Sequence, residues 1–352
     1  MTATSSRTRL IAFVAVVGVA VVVAVAAVVL AGGGKDPVAA SGGKATKTSQ
    51  SLVKAPHILF RDTARGDGYG RVAVVPLADP SARPALTGMV CDRVYVAGAH
   101  GLCLRATRGV ITSYRGIVFD ARTFREEHSF SLPGNPSRAR VSPDGKLVAY
   151  TVFVTGDGYN QVGFSTRTFI RDAATGRQLA QLEQLTTRRD GRVIHAANFN
   201  FWGVTFARDD NTFYATLGSG DTTYLVRGDL AKREMNVLRE GVECPSLSPD
   251  GTRIAFKERE GGGIGPVHWR PAVLDLATLK ATMLADTRNV DDQIEWYDND
   301  HVSYGLPEGQ SSPVTDLWKV PADGSGRPER VMAGAWSPAV VRADALAAYQ
   351  PT

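Results

Sequence analysis

Ser246-Leu-Ser-Pro-Asp-Gly-Thr-Arg-Ile-Ala-Phe-Lys257 reads as strand, tight turn, strand. Pro249 has no N–H to continue a ladder, and Asp250-Gly251 is expected to supply the positive-φ positions of a two-residue hairpin turn. Beyond the turn, Ile254 and Phe256 alternate with Arg253, Ala255 and Lys257, the period of a strand with two distinct faces. A near-copy stands at Ser142-Pro-Asp-Gly-Lys-Leu-Val-Ala-Tyr-Thr151, where Asp144-Gly145 takes the turn. Two copies of one hairpin so far apart predict a repeat architecture.

The unit around each hairpin has a common order: strand, Asp-Gly-type turn, strand, Gly-rich loop, strand, short turn, strand. The third unit runs from Arg140 to Leu182 and the fifth from Ser246 to Leu284. Units two, four and six are degenerate copies, centred on Arg93–Phe130, Gly203–Leu238 and Ile294–Met332. Unit one starts midway, at His57-Ile-Leu-Phe60, without an opening strand. The chain ends on Ala335-Trp-Ser-Pro338 and Leu346-Ala-Ala-Tyr349, an opening without its unit. Pairing the two ends closes a ring and removes both free sheet edges. The expected fold is all-β, a six-bladed β-propeller over residues 56–352, with about 50 residues per blade.

The Ser-Pro-Asp-Gly-x-x-Ile-Ala-Phe hairpin resembles the TolB-like, WD-like propeller repeat of bacterial envelope proteins. The resemblance is strong over residues 137–286 and weaker over the rest of 56–342. It implies the propeller fold.

The N-terminus has another character. Residues 10–31, Leu10 to Ala31, form an uncharged apolar run of 22 residues, about 33 Å as a helix and enough for a bilayer core. Arg7 and Arg9 precede it, so a cytoplasmic tail (residues 1–9), a single retained transmembrane helix and an extracytoplasmic propeller are expected. A cleaved signal peptide is the alternative. Residues 32–55, with Gly32-Gly33-Gly34, Gly42-Gly43 and scattered Lys, Ser and Thr, are expected to be a flexible linker.

The formal charge of +5 resides in the anchor and linker, where Arg7, Arg9, Lys35, Lys44, Lys47 and Lys54 face Asp36 alone. The propeller's charges cancel, which argues against a nucleic-acid partner and for a lipid surface near the anchor. Of three cysteines, Cys91 and Cys103 are close enough in sequence to form a disulfide stapling one blade, with Cys244 left over.

Catalytic signatures are missing from the sequence. Asp144-Gly145 and Asp250-Gly251 lack the spacing and Trp of a sialidase box and read as structural turns. No Gly-x-Ser-x-Gly elbow occurs. Gly66-x-Gly68-x-Gly70 precedes a strand, where a dinucleotide loop needs a helix. The acidic run Asp291, Asp292, Glu295, Asp298, Asp300 lacks calcium-loop spacing and reads as a turn with a solvated edge. No cofactor, catalytic residue or metal ligand is assigned. The expectation is a non-catalytic, membrane-tethered propeller that binds a protein or cell-envelope component. The alternative is a propeller hydrolase or lyase with its site at the central channel mouth, and a third reading is a sensor of small envelope ligands, for which a ligand-sized apolar pocket would speak. Recognition is expected on the longer loops between second and third strands. These carry Arg65, Asp67, Tyr69, Asp157, Tyr159, Asp221, Glu258, Arg259, Glu260 and His268.

Overall fold

Strands with apolar side chains on both faces are stable only when another sheet covers each face. The chain meets this demand with six antiparallel blades in a ring. The computed structural model describes residues 46–154, 165–261, 267–309 and 312–347. The apolar run Leu10–Ala31, most of the expected linker, and Asp157 and Tyr159 lie outside them. No helix among the described residues is long and apolar enough to cross a membrane.

A short helix, α1 (Lys47–Leu52), comes first, capped by Thr46, whose side chain accepts the Ser49 N–H. Linker character was expected as far as Ala55, yet Ser49 and Val53 are buried and Val53 joins a core. Blade 1 follows with β1 (His57–Asp62), β2 (Arg71–Pro76) and β3 (Ala85–Val90). Blade 2 is β4 (Arg93–Ala97), β5 (His100–Thr107), β6 (Ser113–Asp120) and β7 (Glu126–Ser131). The separate stretch 107–112 between β5 and β6 carries the exposed Val110 and Ile111. Blade 3 is β8 (Asn135–Val141), β9 (Leu147–Val154), β10 (Ser165–Asp172) and β11 (Gln178–Gln181).

An unforeseen hairpin, β12 (Thr186–Arg189) and β13 (Arg192–Ile194), precedes blade 4. That blade is β14 (Asn200–Phe206), β15 (Thr212–Ser219), β16 (Thr222–Asp229) and β17 (Glu234–Glu240), and β12 adds to β17 in parallel to make six strands. Blade 5 is β18 (Glu243–Leu247), β19 (Arg253–Glu260), β20 (His268–Asp275) and β21 (Ala281–Met283). Blade 6 is β22 (Glu295–Trp296), β23 (His301–Pro307), β24 (Thr315–Pro321) and β25 (Glu329–Met332). The last strand, β26 (Ala335–Val341), then pairs with β1 as the missing inner strand of blade 1, and α2 (Ala343–Ala347) follows. Neighbouring inner strands pack in a closed cycle, β26, β4, β8, β14, β18, β22 and back to β26.

The two-residue period of a strand sends alternate side chains into different cores. In β9, Leu147 and Ala149 pack toward blade 4, while Val148, Tyr150 and Val152 pack toward blade 2. In β1, Ile58 and Phe60 face blade 6 and Leu59 faces blade 2. Six such inter-blade cores run around the ring.

The Asp-Gly turns differ from the expected two-residue hairpin. Ser142 N–H reaches Leu147 O at 2.8 Å, so four residues make the loop, and only Gly145 has positive φ (84°). Asp144 contributes its carboxylate, which accepts from Ser142 Oγ (2.8 Å) and Lys146 N–H (3.0 Å). Asp250 repeats this with Ser248 and Thr252, and Gly251 has φ 76°. In both turns the Asp serves as an acceptor, in place of the expected backbone conformation.

Cys91 and Cys103 are joined by a disulfide, Cα to Cα 5.5 Å. It ties two blades where a staple within one was expected. Cys91 lies between β3 and β4 and is held to blade 1 by its N–H to Gly70 O (3.2 Å) and by Arg61 Nε donating to its carbonyl (2.9 Å); Cys103 belongs to β5. Cys244 is a free, buried thiol.

Candidate functional site

Inner strands of a propeller have one neighbour in the sheet and turn part of their side chains to the central axis. Here those side chains are charged. Arg140 of β8 donates Nη1 to Glu295 of β22, and Tyr95 of β4 donates its hydroxyl to both Glu295 oxygens at 3.0 Å. Arg140 Nη2 reaches Ser246 Oγ (3.4 Å) and Ile294 O (3.2 Å), and its guanidinium lies 4.5 Å over the Tyr95 ring. Burial, then the Glu295 carboxylate, push the Tyr95 hydroxyl up to about 12, so it stays a donor. Farther along the axis, Arg93 pairs with Asp292 at 2.9 Å and lies 4.7 Å over Trp336. Lys257 pairs with Asp291 at 2.5 Å and lies 4.8 Å from the Trp269 centroid. Arg138 Nε donates to Cys244 Sγ at 3.4 Å. Arg140–Glu295 and Arg93–Asp292 are buried pairs that cost desolvation of both partners, so losing either one strands the other, whereas Asp291 is exposed.

This arrangement corrects the reading of the acidic run as a turn with a solvated edge at Asp292 and Glu295 only; Asp291 and Asp300 are exposed and Asp298 is half-exposed, as expected. Asp292 and Glu295 are 1% and 5% exposed and answer arginines of blades 2 and 3. The partners are some 150–200 residues apart in sequence, which hid the pairing. A usable signal was there: the opening strands of units two, three, five and six carry Arg93, Arg140, Ser246 and Glu295 where a purely apolar strand would be expected.

Above the Arg140–Glu295–Tyr95 cluster a cavity of about 450 Å³ opens among the inner strands. Its walls include Val96, Val141, Phe206, Tyr214, Trp296 and Val340, and its rim Asp144, Arg208, Arg342 and Asp344. The turns at Asp144 and Gly251 border it, so it opens on the face of the short turns.

The loops expected to carry recognition sit at the opposite ends of the strands, between second and third strands. Arg65 and Asp67 are exposed there, while the Tyr69 ring receives the Arg61 guanidinium at 5.0 Å. Asp221 sits at the tip of the β15–β16 turn. Glu258, Arg259 and Glu260 end β19, where Glu260 pairs with Arg270 at 2.9 Å; His268 Nε2 lies 3.1 Å from Thr287 O. None of these residues lines the cavity. Among the described residues, no group of three or more His, Cys, Asp or Glu could hold a metal ion.

No protein-family model matches the chain, and no curated protein matches it. The fold itself is shared with solved structures. The class that strand order and closure define is the six-bladed β-propeller. Within that class the chain is similar to TolB from Acinetobacter baumannii, at 17% identity and a TM-score of 0.55, covering 82% of this chain and 67% of the TolB chain. It is also similar to a chain of the nidogen–laminin complex, at 10% identity and a TM-score of 0.52, covering 81% of this chain and 98% of the other.

Proposed function

We propose that this protein is a non-catalytic binding propeller, tethered to the membrane with its propeller outside the cytoplasm, and that it captures a protein or envelope component at the cavity mouth. The observation that carries the reading is the cavity itself. It is walled by inner strands and within the size range of ligand sites. Its carboxylates already face cations: Glu295 faces Arg140, Asp344 faces Arg208 and Arg342, and Asp144 faces Lys146. Carboxylates engaged in this way support binding over acid–base chemistry. The Cys91–Cys103 disulfide supports an oxidising compartment, and the tether rests on the Leu10–Ala31 run.

The test is crosslinking of the intact protein in its native membrane, with captured species quantified. Ala207→Trp fills the mouth. A second variant reverses Arg65, Glu258 and Glu260 on the opposite face. Loss of the captured species from Ala207→Trp alone is the expected result. Loss from the loop variant alone would move the site to the other face.

A further inference from the structure

We propose that the cavity takes a ligand carrying a carboxylate on an apolar body. The proposal rests on the reading of the cavity as the binding site and names the chemistry it selects. Each lining carboxylate is matched by a cation, as set out above, so the site has no free negative charge to offer a cationic ligand. Donors are left over. Arg140 is 4% exposed and lines the cavity, yet its Nε–H has no hydrogen-bond partner, although both terminal nitrogens are engaged. Arg342 at the rim gives Nη1 to Trp296 O at 3.0 Å and likewise leaves Nε–H without a hydrogen bond, with Asp344 at 3.7 Å. Both Nε–H groups are enclosed, so an acceptor in the cavity reaches them through a small shift of each guanidinium; a buried N–H without an acceptor is unfavourable, and the stronger bond to a charged acceptor offsets that shift.

The two guanidinium groups come from different blades, Arg140 from β8 in blade 3 and Arg342 from just past β26 in blade 1. Between floor and rim the surface is apolar and aromatic, with Phe206, Tyr214, Trp296 and Val340. The indole N–H of Trp296 is already given to Ser246 O at 2.8 Å, so it adds no free donor to this wall. The combination selects an acceptor-bearing acid whose remainder is apolar. An ammonium group would meet two guanidinium groups, and a neutral alcohol would satisfy only one weak bond.

The intact protein in detergent is titrated by calorimetry with 3-phenylpropionate, 3-phenylpropylamine and 3-phenylpropanol. The carboxylate is expected to bind, the amine not to bind, and the alcohol to bind about tenfold more weakly than the acid, as the loss of a charge-assisted hydrogen bond implies. Arg342→Gln is expected to weaken the carboxylate about tenfold and leave the alcohol unchanged. Because Arg342 lies outside the buried ion-pair cluster, that variant does not depend on the fold tolerating a change at Arg140. Equal binding of amine and acid, or unchanged carboxylate affinity in Arg342→Gln, overturns the proposal. If Ala207→Trp abolishes crosslinked capture while 3-phenylpropionate fails to bind the unaltered protein, the ligand class falls and the cavity stands. If Ala207→Trp keeps both, the cavity reading falls with it.

Discussion

Glu183 shows what one half-buried group does to the pH response of the whole chain. It lies in the 3-10 turn after β11, and its two oxygens accept the Thr168 N–H at 3.0 and 3.2 Å. Burial pushes its carboxyl up to about 7 from 4.5, against those hydrogen bonds. The folded state therefore holds its proton more tightly than the unfolded state. That contribution to stability is complete below about pH 4.5 and is lost as pH rises through about 7. Glu183→Gln keeps an acceptor for Thr168 and removes the titration. The variant should match the parent near pH 4.5 and gain on it by about 1–2 kcal/mol above pH 7. Melting both across that range checks this; a difference independent of pH would show that Glu183 is not shifted. The axis residues teach a related lesson about legibility. A strand pattern marks Arg93 and Arg140 as facing away from an apolar core, and it says nothing of what they face. Only the ring brings Asp292 and Glu295 to them, so the cavity floor could not be read from local spacing.

At the scale of elements, the sequence carried most of the blades because their turns repeat a local chemistry. The Asp-Gly hairpins were legible as turns but not as to type. The true two-residue Asp-Gly hairpin is Asp190–Gly191, with both φ positive (50° and 75°) and Arg189 opposite Arg192. It escaped notice because the four-strand unit has no place for β12 and β13. A second signature was also there to read: Asp120, Asp172 and Asp275 each accept both the N–H and the hydroxyl of a Thr three residues on, closing the outer turns. The inner turns differ among themselves in a way that sequence does not reveal. A Cβ on Gly251 meets nothing within 4 Å, while one on Gly145 lies 2.7 Å from Ala99 N and 2.9 Å from Ala97 O. Blade 2 presses its own turn against Gly145. Gly251→Ala should thus cost about 1 kcal/mol from φ alone. Gly145→Ala should cost about 2–4 kcal/mol, since neighbouring backbone must also move. Equal melting midpoints for the two would refute the interlocked turns.

The whole molecule depends on one strand that pairs across the ring closure. β26 pairs with β1 from Val341 opposite His57 to Ala335 opposite Asp62, broken by a bulge at which Ser337 takes φ 54°. The bulge turns Ser337 Oγ toward blade 2, where it donates to Val94 O at 2.9 Å and accepts the Val94 N–H at 3.3 Å. Just past the strand, Arg342 holds Trp296 O of blade 6. One segment therefore joins blades 1, 2 and 6 and completes the ring. Without it, β1 would present a free ladder bearing Ile58, Leu59 and Phe60, all essentially buried in the closed ring. The apolar burial lost with Ala335, Ala339, Val340 and Val341, added to the bared edge, is comparable with the roughly 5–15 kcal/mol that holds a domain folded. Removal of residues 335–352 should abolish the cooperative melt or drive self-association through β1, seen as a shift to larger species on gel filtration. Removal of residues 343–352 alone leaves the β1–β26 ladder in place and should keep a cooperative melt. A monomeric 335–352 deletion with the parent's melting midpoint would mean that the ring is held by its blade faces and not by its closing strand.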